Sequence, residues 1–128
     1  MGASRRSAAK PFPPLAPDAS PGLDRRTAER FRGGGLPIEA RLDLHGMTQE
    51  EAHRALDAFL ARAARAEKRC VLVITGKGGR SSGGGVLRAA VPRWLNEAPN
   101  RARLLAFTPA RPQHGGAGAL YLLLKRRR

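Results

Sequence analysis

The chain has one cysteine, one tryptophan and one tyrosine among its 128 residues. A single thiol excludes an internal disulfide, and no Cys/His spacing of a zinc site is present. Cys70 opens an apolar run, where a small buried side chain fits. Acidic residues are also scarce: 10 Asp plus Glu against 24 Lys plus Arg give a net charge of +14 and a pI near 11.7. Such a balance points to a polyanionic partner, nucleic acid before any other. No apolar stretch approaches the roughly 20 residues of a membrane span, and no long amphipathic helix presents bulky apolar residues opposite a basic face. Met1 to Arg6 carries neither a myristoylation signal nor the start of a secretory one. The expected location is therefore the cytoplasm, without a membrane partner. Phe59, Trp94, Phe107 and Tyr121 all fall on apolar positions, so no row of base-stacking aromatics emerges and binding should be led by phosphate contacts and shape.

At 41% hydrophobic content the chain supports one core, hence one compact unit. Residues 1–36 form a basic, proline-rich arm, largely disordered, with a short helix expected near 24–32 capped by Asp24 and stopped by Gly33-Gly34-Gly35. Residues 37–128 carry the domain. Ile38, Ala40, Leu42 and Leu44 alternate with Glu39, Arg41, Asp43 and His45, which predicts a first strand with Asp43 and His45 on its polar side. After Gly46, Thr48 and Glu51 make a capping box that opens a helix with an apolar stripe from Ala52 to Ala63. Cys70 to Ile74, apolar throughout, reads as a central strand covered on both sides and parallel to the first. A glycine-rich loop leads to a second helix with Val86, Leu87, Ala90, Val91, Trp94 and Leu95 as its core positions and a kink expected at Pro92. A third strand is expected over Ala102 to Phe107, a long loop over Thr108 to Gly118, and a last strand over Ala119 to Leu124. The order β-α-β-α-β-β corresponds to an α/β two-layer sandwich with a mixed four-stranded sheet.

Three motifs fall at strand ends: Leu42-Asp43-Leu44-His45-Gly46, Thr75-Gly76-Lys77-Gly78 and His114-Gly115-Gly116-Ala117-Gly118. With the first two strands parallel, Asp43, His45 and Lys77 share the edge where open α/β sheets bind ligands. His114 joins them if its loop folds back. His45 can take or give a proton near neutrality and Asp43 can orient it, whereas the bland reading is a polar strand exit with turn contacts. Gly76, Lys77 and Gly78 offer amides and a cation to a phosphate, although the Walker ending is absent and the segment alone would pass for a linker. Gly46, Gly115, Gly116 and Gly118 open backbone in the same way, and His114 supplies a second proton carrier. Two histidines and a lysine are the parts that RNA cleavage by internal 2′-hydroxyl attack requires, without a metal. DNA lacks that hydroxyl, and cutting it would bring in Mg2+, for which one nearby carboxylate is a thin site.

The motif set Leu-Asp-Leu-His-Gly, Thr-Gly-Lys-Gly and His-Gly-Gly-x-Gly-Ala-x-Tyr, in this order, resembles the Smr (small MutS-related) domain from Ile38 onward. The preceding arm lies outside that domain, as in stand-alone bacterial members. The resemblance implies a fold similar to the C-terminal domain of translation initiation factor three. It also implies nucleic-acid binding with endonuclease activity, on DNA for some members and on RNA, linked to ribosome quality control, for others. It assigns the site to Asp43 and His45, to Gly76, Lys77 and Gly78, and to His114, Gly115 and Gly116. The expected protein is a monomeric endonuclease acting on RNA ahead of structured DNA, with the ribosome as a further partner. The alternatives are a non-catalytic nucleic-acid adaptor of the same fold and, kept open by the glycine loops, a small-molecule phosphoesterase.

Overall fold

A computed structural model of the chain describes residues 13–17, 22–77 and 84–126. Four strands, β1 (Ala40–Asp43), β2 (Cys70–Ile74), β3 (Leu104–Pro109) and β4 (Ala119–Leu124), form one sheet in the order β1-β2-β4-β3. β1 and β2 run parallel, while β4 is antiparallel to both β2 and β3. The sheet is mixed, as the sequence predicts. The carboxyl ends of β1 and β2 and the start of β4 thus meet at one edge.

The helices are α1 (Arg25–Arg32), α2 (Gln49–Arg65), α3 (Gly84–Leu95) and the single turn α4 (Asn100–Arg103). α2 starts where its local chemistry demands. The Glu51 amide donates to Thr48 Oγ1 at 3.1 Å and the Thr48 amide to Glu51 Oε1 at 3.0 Å, so two orphan N–H groups are satisfied reciprocally. Leu56 and Leu60 of α2 and Leu87, Val91 and Leu95 of α3 pack with Leu44, Val71, Val73, Phe107 and Leu122 as the main core. Each leucine buried completely there contributes about 1.5–3 kcal/mol. α3 is helical on both sides of Pro92, and Val86, an expected core position, is half exposed at its solvent side.

The opposite face of the sheet carries a second apolar layer: Phe31 of α1 packs with Cys70, Leu72, Ala106, Tyr121 and Leu123. Asp24 caps α1 by accepting from the Thr27 amide at 2.8 Å. This layer supplies the second cover that the wholly apolar β2 requires. It also takes Ile38, which precedes the strand and lies with Leu36 in the layer under α1, not with Ala40, Leu42 and Leu44. Leu15 is buried in the main core, its backbone N–H and C=O bonded to the side-chain amide of Asn96 at 2.6 and 2.9 Å.

β3 begins two residues later than the pattern suggests. The Asn100 side chain donates to Asp57 Oδ1 at 2.7 Å and to the Trp94 carbonyl at 3.3 Å, which pins the turn holding Ala102 and Arg103. The strand then extends to Pro109, and the expected long loop contracts into two 3-10 turns, Pro112–His114 and Gly116–Gly118.

Candidate active site at the sheet edge

Paired residues across a sheet share a face, so the register locates the site. Asp43 pairs with Ile74, which pairs with Ala119; Arg41 pairs with Leu72, which pairs with Tyr121. Leu72, Ile74, Ala119 and Tyr121 belong to the layer under α1. Asp43 consequently points to the α1 side of the sheet, away from the two long helices.

His45 follows buried Leu44, and its ring turns back onto Asp43. Nδ1 lies 2.8 Å from Asp43 Oδ1, and the His45 amide donates to the same oxygen at 3.0 Å. An ionised carboxylate only accepts, which assigns the proton of a neutral His45 ring to Nδ1 and leaves the Nε2 lone pair free. Among the described residues nothing bonds Nε2, and the His45 side chain is 70% exposed. Desolvation raises the Asp43 carboxyl, but the hydrogen bonds from the His45 ring and amide, followed by the charges of His45 and Arg41, hold it below its ordinary value.

The second and third motifs meet through backbone. The Gly118 carbonyl accepts from the Thr75 amide at 2.8 Å and the Gly76 amide at 3.1 Å. A Cβ on Gly118 would stand 2.9 Å from the Gly76 carbonyl carbon and 3.1 Å from Lys77 Cγ, so only glycine permits this approach. A Cβ on Gly76 would lie 3.5 Å from His45 Cβ, which puts the glycine loop beside the first motif. Lys77 is exposed at this edge. Gly78 lies outside the described residues.

His114 ends the first 3-10 turn, and Gly115 reverses the chain at φ 118°. Its Nδ1 is hydrogen-bonded to the hydroxyl of Tyr121, and the two rings meet edge to face at 5.4 Å. The same hydroxyl accepts from the Arg111 amide at 3.2 Å. With one lone pair used there, the phenol proton is available to Nδ1, and the mobile proton of a neutral His114 is assigned to Nε2. Tyr121 is buried and points to the α1 side, so His114 rides on the same face as Asp43. β1 and β4, separated by β2 alone, stand about 10 Å apart at the usual spacing, and Tyr121 is level with Arg41 in the register, two residues before Asp43.

The three motifs are therefore gathered at one edge. Two supports escaped sequence reasoning. Thr75 anchors the glycine loop through its hydroxyl, 3.1 Å from the Gly76 carbonyl. Tyr121 holds His114, and the spacing of these two residues in the third motif was its visible signal. No group of three or more His, Cys, Asp or Glu side chains among the described residues is placed to hold a metal ion.

Residues 42–125 match the Smr domain family. The chain belongs to that family. A stretch of 105 residues is 35% identical to the ribosome rescue factor SmrB of Yersinia pseudotuberculosis, covering 82% of this chain and 55% of that protein. The chain thus spans about half the length of the curated relatives it matches. The crystal structure of YdaL, a stand-alone small MutS-related protein from Escherichia coli, aligns with a TM-score of 0.69 at 33% identity, over 83% of this chain and 79% of YdaL. The Smr domain of Thermus thermophilus MutS2 aligns with a TM-score of 0.58 at 29% identity, over 67% of this chain and 98% of that domain. The mixed four-stranded sheet with its helices is the architecture of these Smr domains. Among the described residues no helix is long and apolar enough to cross a membrane.

Proposed function

We propose that this Smr chain is an endonuclease that cuts RNA by internal attack, with His45 as general base and His114 as general acid. The observation that carries the reading is the Asp43–His45 pair, in which the carboxylate occupies Nδ1 and leaves Nε2 free at an exposed edge. Nε2 takes the proton of a 2′-hydroxyl, and that oxygen forms a bond to the adjacent phosphorus. The bond from phosphorus to the 5′ oxygen breaks, and the leaving oxygen receives the Nε2 proton of His114 in its imidazolium form, which is left as neutral imidazole. The products are a 2′,3′-cyclic phosphate and a 5′-hydroxyl. Lys77 would balance the charge growing on the phosphate oxygens, while the amides of Gly76, Gly115 and Gly116 already donate to the carbonyls of Gly118, Pro112 and Arg111 and shape the loops instead. Asp43 stabilises the imidazolium that forms. A basic chain of +14 supports a nucleic-acid substrate, and relatives named as ribosome rescue factors favour RNA on the ribosome.

The test is cleavage of end-labelled RNA, free and ribosome-bound, and of its all-deoxy counterpart, by wild type and His45→Ala, with magnesium and with a chelator. Cutting of RNA alone that resists the chelator, leaves a cyclic phosphate and requires His45 is the expected result. Metal-dependent nicking of DNA would replace this chemistry with an activated water. Tight, salt-dependent binding that survives His45→Ala without any cleavage would make the protein an adaptor.

A further inference from the structure

The opposite edge of the sheet holds a second basic site. Glu39 before β1, Arg69 before β2 and Lys125 after β4 meet there, and with Glu67, Lys68 and Arg126 they line a cavity of about 130 Å³. Backbone bonds fix its walls: the Glu39 amide donates to the Cys70 carbonyl at 2.8 Å, and the Leu124 amide to the Arg69 carbonyl at 2.8 Å. Glu39 is itself engaged, its carboxylate accepting the Arg69 amide. Four cations thus face two carboxylates in a space of about four water volumes.

The decisive feature is Arg69. Its Nε is buried and makes no hydrogen bond among the described residues. A buried N–H of a charged group left unpaired is costly, and a guanidinium presents Nε and Nη as a fork that matches two oxygens of a tetrahedral anion. Lys125 is held below its ordinary value by burial and then by the charge of Arg101, so an anion nearby would relieve it.

We propose that this pocket binds a phosphate group of the nucleic-acid partner, at the end of the sheet away from the Asp43–His45 edge. The assignment rests on the nucleic-acid reading above. The five residues of β2 separate the two sites by about 16 Å, or about five nucleotides of stacked strand. A single strand with its scissile phosphate at His45 can therefore reach the pocket, whereas a trinucleotide cannot.

The experiment measures fluorescence anisotropy of a trinucleotide and of an RNA of about 15 nucleotides across a salt series, where each phosphate contact contributes about 0.7 to the salt slope. Variants Arg69→Gln and Lys68→Gln are compared with wild type, each checked by thermal melting; exposed Arg126→Gln carries the test if Arg69→Gln does not fold. The expected result is a threefold to tenfold loss for the longer strand, on the order of one phosphate contact off its salt slope, and no change for the trinucleotide. Unchanged affinity and slope for the longer strand would overturn the proposal. So would a shift of the Arg69 Nε–H resonance with inorganic phosphate but not with the longer RNA, which would make this a free-anion site. Failure of wild type to bind either RNA at low salt would instead remove the nucleic-acid reading itself.

Discussion

Asp43 Oδ1 accepts two hydrogen bonds from one residue, His45: from the ring Nδ1 at 2.8 Å and from the amide at 3.0 Å. The pair is local in sequence, yet it fixes both the rotamer and the tautomer of the ring. Substitution His45→Ala should lower cleavage by about 10²- to 10⁴-fold, the usual range for a positioned proton carrier, while RNA affinity changes little. Asp43→Asn should retain the amide contact and lose part of this rate. Equal rates for wild type and Asp43→Asn would remove the carboxylate from the mechanism.

The same pair predicts a titration. Because the folded carboxyl lies below its ordinary value of 3.8, its contribution to stability is present above that pH and is lost as pH falls through the folded value. In His45→Ala the depressing hydrogen bond and charge of the ring disappear while the amide bond stays, and the Asp43 midpoint should rise. A titration of the Asp43 carboxyl carbon by NMR reads this directly, and an unmoved midpoint would mean that the ring does not hold the carboxylate in solution.

Gly118→Ala should be more disruptive than Gly46→Ala at this edge. The new methyl would meet the Gly76 carbonyl carbon at 2.9 Å, a backbone atom that cannot rotate away. Overpacking of this kind costs about 1–3 kcal/mol and would spread the second and third motifs apart. Gly46→Ala meets nothing within 4 Å and carries only the strain of φ 84°, about 1–2 kcal/mol. Urea unfolding of both variants beside their cleavage rates checks this: Gly118→Ala should lose more activity than its stability change explains, and Gly46→Ala should not.

Local rules made some features legible and hid others. The capping box of Thr48 and Glu51, the alternation that sets Asp43 beside His45, and the apolar β2 all follow from periods of two or 3.6 and from end-of-helix chemistry. The start of β3 was not legible, because it depends on Asn100 reaching Asp57, 43 positions away. Val86 satisfies the helical period but falls where no neighbouring element covers it. Ile38 obeys the alternation in sequence yet precedes the regular strand, so its side chain is free to join the layer of Phe31. The meeting of the third motif with the second rests on the Gly118 to Gly76 contact, which no spacing along the chain encodes.

Tyr121→Phe separates support from chemistry at His114. Removal of the hydroxyl leaves the Arg111 amide and His114 Nδ1 without their partner, and an unmet buried polar group costs about 1–3 kcal/mol. The ring of residue 121 still fills its place beside Phe31, 6.2 Å between centroids, so the fold should persist. Cleavage should fall less than in His114→Ala, and its pH profile should shift, since His114 would lose the bond that sets its tautomer. An unchanged profile would leave Tyr121 a packing residue alone.

Cys70 gives a probe of the whole sheet. Desolvation, followed by the negative charge of Glu39, pushes its thiol up to about 11 from 9.0, while Arg69 opposes them in part. The folded state therefore resists ionisation, and the stability it draws from keeping the thiol neutral is present below 9.0 and lost as pH rises toward 11. At pH 8 the buried thiol should react with iodoacetamide only through opening of β2, the strand paired to both β1 and β4. Labelling rates should then track urea stability across the variants above, rising in Gly118→Ala and unchanged in His45→Ala. Rapid labelling of the native protein, independent of stability, would show that the edge of the sheet opens without unfolding and that the two phosphate sites are not held on one rigid frame.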